Sequence, residues 1–300
     1  MGGGAGGDTV FGNHMDAADL KNAFERAMSH GLNLFDTAFA YENGDSERIL
    51  GELASTVKRG DIIISDRFTP QMANPAADNT VMDMLNGLLQ RMGMDYFDIY
   101  WIHNSADVDR WTPQLVGAVK SGKIKRVGVS NHSLEQIKHA QEILDPFGIK
   151  ISAVQNHFSL LYRNSIDDGL LDYCKENDIQ FFFYMVLEQG ALSGKYDSEH
   201  LLPAGTMRGN NYNPMMPALA PLIEQLCGIG VKYGVSAAQV STAWAIGRGT
   251  TPILGVTKPK RVDDAAGSVN LTLTADEVEN LENTARSAGV DTCGGWEGQA

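Results

Sequence analysis

Cysteine is scarce here: Cys174, Cys227 and Cys293 are the three in 300 residues. They are odd in number, far apart and without a CxxC spacing, which points away from a disulfide framework or a zinc site. Reduced thiols and a cytoplasmic setting are expected. Positive charge is also short, with 24 Lys and Arg against 37 Asp and Glu and a formal net charge of −13. No cationic excess exists to neutralise phosphates along a nucleic acid or an anionic membrane. Neither partner is expected, and an anionic ligand must be held by a local cluster. No apolar run reads as long enough to span a bilayer, and the N-terminal glycine tract is not a signal sequence. That tract, GGGAGG over Gly2–Gly7, contains a formal GxGxxG. It lacks a full strand before it, a helix opening after it and an acidic partner, so the match is accidental.

What is present is ordinary globular material, 43% hydrophobic, arranged in a rhythm. Strand-like runs lie at Leu32–Phe35, Asp61–Ser65, Phe97–Ile102, Arg126–Val129, Ile151–Val154, Ile179–Tyr184 and Pro252–Leu254. Segments of helical spacing separate or precede them: Ala17–Ser29, Ser46–Val57, Thr80–Met92, Leu134–Leu144, Asp167–Asn177 and Ser236–Ile246. Gly2–Gly6 would be the end of a first strand, making eight, and the chain starts inside it, so the N-terminus is expected to be incomplete. Unbroken βα alternation predicts one α/β domain over residues 1–300, a (β/α)8 TIM barrel with large mouth loops. Tyr196–Pro217 is too long for an ordinary connection and reads as an active-site loop. A capping box at Thr274 and Glu277 starts a last helix, followed by a Gly-rich tail.

Polar residues follow the apolar runs repeatedly. Asp36 follows Phe35, with Tyr41 beyond it; Asp66 and Arg67 follow Ser65; His103 and Asn104 follow Ile102. Ser130 and Asn131 follow Val129, and Gln155, Asn156 and His157 follow Val154. Taken singly, Asp36 could cap a turn, His103 could be a satisfied core histidine, and Tyr41 could be loop packing. In a barrel, however, these positions converge on one mouth. Trp101, Trp111, Trp244 and Phe181–Phe183 read as core, Lys120–Arg126 as a solvated face, and Trp296 as a candidate pocket residue.

These stretches resemble the aldo-keto reductase family. LNLFDTAFAYENGDSE (Leu32–Glu47) is similar to its second-strand signature, DIYWIHN (Asp98–Asn104) to its fourth and GKIKRVGVSN (Gly122–Asn131) to its fifth. AVQNHFS (Ala153–Ser159), ALSGKY (Ala191–Tyr196) and PILGVTKPKRVDDA (Pro252–Ala265) follow in the family's order. The resemblance implies a barrel with NADP across its mouth and a hydride passing between nicotinamide and a small-molecule carbonyl or polyol substrate. Asp36, Tyr41 and His103 match three of four catalytic positions. Tyr41 would be the general acid, His103 would hold the substrate oxygen, and Asp36 would orient a cation. Arg67 stands where the family has lysine. It keeps a permanent charge on a wider, planar fork that could pair bidentately with Asp36 and lower the tyrosine pKa.

For the cofactor, Ser130, Asn131 and Gln155 match positions binding the nicotinamide carboxamide, and Tyr184 matches its stacking platform. Leu187, Gly190 and Leu192 match backbone positions near the pyrophosphate, although FYMVLEQG replaces the commoner Ser-Pro-Leu pattern. Gly255, Thr257, Lys258 and Arg261 match the adenosine-phosphate pocket, with Asp264 near the adenine. Lys258 and Arg261 favour NADP over NAD. Two other readings stand beside net redox chemistry. One is transient oxidation by a retained cofactor, giving epimerisation or elimination; the other is a cofactor-sensing binding subunit. No metal is implied, and the substrate and oligomeric state are not legible.

Overall fold

The computed structural model describes residues 17–294; the first strand expected over Gly2–Gly6 and the tail residue Trp296 lie outside that span. Seven parallel strands form one sheet in sequence order: β1 (Leu34–Asp36), β2 (Ile63–Phe68), β3 (Phe97–Ile102), β4 (Ile124–Ser130), β5 (Ile151–His157), β6 (Gln180–Tyr184) and β7 (Thr251–Pro252). Each strand pairs with the next, and helices occupy the connections. This is the (β/α)8-barrel arrangement, with seven of its strands among the described residues. The helix ring continues past β7. Helix α1 (Ala17–Ser29) meets the later helix Pro259–Ser268, and Asp263 accepts from Arg26 Nε at 2.6 Å and lies 2.8 Å from His30 Nε2.

Alternation along each strand divides the core in two. One set of side chains, including Ile64, Phe68, Tyr100, Ile102 and Val129, packs under the helices. The other points into the barrel, where Ile99, Trp101, Ala153 and Phe182 form a separate cluster. Gly128 on β4 stands opposite Trp101 in the register, and the Trp101 indole occupies the space a Cβ there would take.

Several boundaries differ from the sequence reading. β2 runs on through Phe68, and β1, β4 and β5 likewise include Asp36, Ser130, Gln155 and His157. Apolar periodicity stops at the first polar residue, whereas backbone pairing continues to the rim. The helix expected over Asp167–Asn177 is two pieces, Asn164–Asp167 and Leu170–Glu176, divided by Gly169 at φ 77°.

Tyr196–Pro217 is not all loop. Thr206 caps a helix, Met207–Tyr212, by accepting from the Gly209 N–H, and α2 (Met216–Tyr233) starts before the stretch ends. By length and composition, Met207–Tyr233 could cross a membrane, contrary to the sequence reading. In this structure, Leu222 and Leu226 of α2 are buried in the main core, while Met216, Leu219 and Ile223 are buried in a second cluster with Ala191, Leu202 and Tyr212. The final helix, α3 (Ala275–Ala288), carries the expected capping box at Thr274.

Candidate active site

Strand register brings the mouth residues together. β1 pairs with β2 so that Asp36 lies opposite Ser65, and Arg67 is two residues further towards the rim. The Arg67 side chain is buried and bonds the Asp36 carboxylate through Nη2. Its Nε donates to the Thr37 carbonyl at 3.1 Å and Nη1 to Gln155 Oε1 at 2.9 Å. The other Asp36 oxygen accepts from the Ser65 hydroxyl. The pairing with Asp36 is therefore single, not the two-point fork expected, because the remaining guanidinium N–H groups reach across to Thr37 and β5. Asp66 serves a different layer. Its Oδ1 accepts the Arg67 backbone N–H at 2.7 Å, and burial holds its carboxyl well above the usual range.

Tyr41 reaches the same cation from the loop after β1, with the guanidinium carbon 5.9 Å from its ring centroid. Arg67 is the largest single influence and acts to lower the phenol pKa. Burial and the nearby Asp36 and Asp66 carboxylates together outweigh it, so the pKa is raised. His103 follows β3, its Nδ1 2.9 Å from the Thr69 hydroxyl. Burial, helped by Arg67, drives its pKa down to about 3, leaving a neutral imidazole. In the tautomer in which Nδ1 accepts from Thr69, the ring proton is on Nε2.

The residues matched to nicotinamide recognition lie on the next three strands. Asn131, at φ 59°, donates from Nδ2 to the His103 carbonyl at 2.8 Å and accepts the Tyr184 hydroxyl at 2.5 Å. Ser130 is fully buried beside it. Gln155 uses Oε1 on Arg67, while its Nε2 is buried and without a hydrogen-bond partner among the described residues. An orphan amide donor at a barrel mouth fits a carboxamide oxygen, and the half-buried Tyr184 ring is close by.

The two stretches matched to phosphate contacts differ. In the loop after β6, the N–H groups of Gly190 and Leu192 both donate to the Leu187 carbonyl, at 2.8 and 3.1 Å. These amides already serve the loop's own turn, so this segment offers a pyrophosphate fewer donors than the resemblance implies. Beyond β7 the picture is open. Gly255 and Lys258 are exposed, Thr257 lies between them, and Lys258 precedes the helix Pro259–Ser268. Arg261 is exposed in the first turn of that helix. Two mobile-length cations at a helix N-terminus suit a phosphate. Asp264 faces Lys260, which donates to it at 3.2 Å.

Sequence reasoning missed Thr69, which orients His103, and Thr37, whose carbonyl holds Arg67; neither residue type carries a signal at those positions. It also left Glu188 unassigned, a fully buried carboxylate at φ 45° joined to His157 of β5. Among the described residues no His, Cys, Asp and Glu cluster is placed to hold a metal ion.

The Aldo/keto reductase family model matches residues 1–286. Pyridoxal reductase from Arabidopsis thaliana, a chloroplastic protein, is 31% identical over 285 residues, covering 90% of this chain and 77% of that protein. An aldo-keto reductase of Alternaria alternata is 26% identical, covering 94% and 85%. Among solved structures, glycerol dehydrogenase from Gluconobacter oxydans superposes with a TM-score of 0.79 at 21% identity, covering 92% and 88%. A Klebsiella pneumoniae aldo-keto reductase in complex with NADPH gives 0.70 at 22% identity, also covering 92% and 88%. With the family model matching nearly the whole length and the barrel and its mouth described, the chain belongs to the aldo/keto reductase family.

Proposed function

We propose that this protein is a cytoplasmic NADP-dependent oxidoreductase exchanging a hydride with a carbonyl or alcohol substrate. The observation that carries the reading is the buried Asp36–Arg67 pair with the Tyr41 ring against the guanidinium. When bound, the dinucleotide supplies or accepts the hydride. Ser130, Asn131, Gln155 and Tyr184 would hold its nicotinamide, and Leu187, Gly190 and Leu192 would line its pyrophosphate. Gly255, Thr257, Lys258, Arg261 and Asp264 would take the adenosine phosphate. NADP is preferred because Lys258 and Arg261 are exposed cations on an acidic chain.

In the reduction direction Tyr41 gives its proton to the carbonyl oxygen. A raised pKa keeps that proton in place at neutral pH, and the Arg67 charge stabilises the phenolate left behind. Arg67 cannot take a proton itself, so it acts only as a fixed charge. Neutral His103, with the Nε2 proton, donates to the same substrate oxygen and orients it. Asp36 holds Arg67 in place.

Related proteins named for pyridoxal and glycerol define the range of a first panel: aromatic aldehydes, simple ketones, sugars and polyols. NADPH consumption or NADP reduction with at least one member is expected, lost in Tyr41→Phe. Tight cofactor binding with no turnover of any member in either direction would overturn the reading. Deuterium exchange into a substrate without net cofactor turnover would replace it with transient oxidation.

A further inference from the structure

The loop leaving β6 is built against its own backbone preferences. Met185, Glu188, Gln189 and Gly190 have φ of 66°, 45°, 52° and 108°. Three of these are side-chain-bearing residues in a region that disfavours them. Such a conformation persists only where the surroundings over-determine it. Here the surroundings gather on one group. The Glu188 carboxylate is wholly buried, which is unfavourable unless donors surround it.

They do, and they come from distant parts of the chain. His157 Nε2, at the end of β5, is 2.9 Å from Oε1, and the Ser159 hydroxyl donates to the same oxygen. The Tyr212 hydroxyl donates to Oε2 at 2.7 Å from the helix Met207–Tyr212. Thr292 Oγ1, beyond the last helix, is 3.3 Å from Oε1. The His157 ring in turn stacks on Tyr184, with centroids 5.7 Å apart and planes at 23°. Its other neighbour is Tyr162, at 4.2 Å and 1°.

We propose that Glu188 is a positioning residue for the dinucleotide: its carboxylate draws β5, the Met207–Tyr212 helix and the segment at Thr292 onto the loop after β6, and so fixes the Tyr184 ring on which the nicotinamide would lie. The proposal rests on the cofactor assignment above. Glu188 itself touches no reacting atom; it acts through His157 and Tyr184. A carboxylate with two oxygens can accept all four donors, which a main-chain turn or a smaller side chain could not.

The test is NADPH affinity, measured by fluorescence, alongside the urea unfolding midpoint. Glu188→Ala should weaken NADPH binding about tenfold or more, the size expected from losing a charge-assisted hydrogen bond. Glu188→Gln, which still accepts from His157 and Ser159, should recover most of that loss. Tyr212→Phe and Thr292→Val each remove one donor and should stay folded with a lowered midpoint while weakening binding about threefold. These two decide the matter should Glu188→Ala fail to fold. Affinities within twofold of the parent in every folded variant, or losses that only track the midpoint, would overturn the positioning role. A parent protein that binds no nicotinamide dinucleotide would instead remove the cofactor assignment, and this role with it.

Discussion

Arg67 on β2 and Asp36 on β1 form a buried ion pair whose cation is shared three ways, with Asp36, the Thr37 carbonyl and Gln155. That sharing fixes the guanidinium near the Tyr41 ring and ties it to the β5 amide of Gln155, whose nitrogen has no hydrogen-bond partner among the described residues. The charge beside Tyr41 and the proposed nicotinamide contact at Gln155 therefore meet in one side chain.

Replacing Arg67 separates these roles. Arg67→Met strands the buried Asp36 carboxylate, which should cost roughly 3–5 kcal/mol of stability and remove most turnover. Arg67→Lys keeps the charge near Asp36 but cannot also reach both Thr37 and Gln155. It should retain activity within about tenfold while weakening NADPH binding, because Gln155 loses its anchor. Unfolding midpoints, kcat and NADPH affinity check this. A lysine variant far more active than the parent would mean that arginine had disabled the site.

Tyr41→Phe should lower kcat by about 10²–10⁴, the range for removing a general acid, with NADPH affinity unchanged. The raised phenol pKa sets the pH dependence. Reduction needs the protonated form, so its rate should stay level through neutrality and fall only above the usual tyrosine value of about 10. A kcat profile for reduction that falls below pH 8 would place the proton elsewhere.

Much of this site was legible because barrel topology converts scattered strand-end residues into neighbours. Asp36, Arg67, His103, Asn131, Gln155 and Tyr184 each end an apolar run, and the register then assembles them. What was hidden has physical reasons. Strand ends were placed short because Arg67 and Gln155 face the mouth, where polar side chains break the apolar pattern without breaking the ladder. The Met207–Tyr212 helix was missed because its Thr206 cap is followed by Gly209, with no acidic partner and little periodicity. Glu188 gave no sign, since a left-handed backbone at a glutamate and four donors from three remote segments leave no mark on local sequence.

The phosphate end can be tested separately. Lys258 and Arg261 are exposed, the former 3.9 Å from Asp19. The double variant Lys258→Ala with Arg261→Ala should raise the Kd for NADPH by about 10–100-fold through loss of charge-assisted contacts, leaving NADH affinity within about threefold. The NADPH preference should also shrink as salt rises. Equal losses for both dinucleotides would assign this patch to general electrostatics.

Gly128 supports the floor of the site. A Cβ there would overlap the Trp101 ring, which is wedged edge-on against Phe182, with centroids 5.5 Å apart, and stands beside Arg67 in the register. Gly128→Ala should destabilise the protein by about 1–3 kcal/mol, the usual result of overpacking, and should lower turnover by displacing Arg67. Urea midpoints and kcat would show it, and an unchanged midpoint would mean the indole has room to move.

His132 sets an acid limit on stability. Its ring is fully buried, with Nδ1 bonded to the Ser130 carbonyl at 2.7 Å and Nε2 without a partner among the described residues. Burial lowers its pKa from 6.5 to about 4, opposed by the Ser130 hydrogen bond. In the unfolded chain the imidazole takes up a proton near pH 6.5, while in the folded chain it does not until about pH 4. The unfolded state therefore binds more protons across that window, and stability falls as pH drops through it. Above pH 6.5 both states are neutral at this site and the effect vanishes. His132→Gln replaces the titrating ring with a neutral amide. It should be less stable than the parent at pH 7, having lost the fitted ring, yet should lose less of its stability between pH 6.5 and 4. Urea titrations at several pH values read the two slopes. His103, with its pKa down to about 3, contributes in the same direction in both proteins. A variant slope equal to the parent's would therefore assign the acid sensitivity to His103 and to groups other than His132.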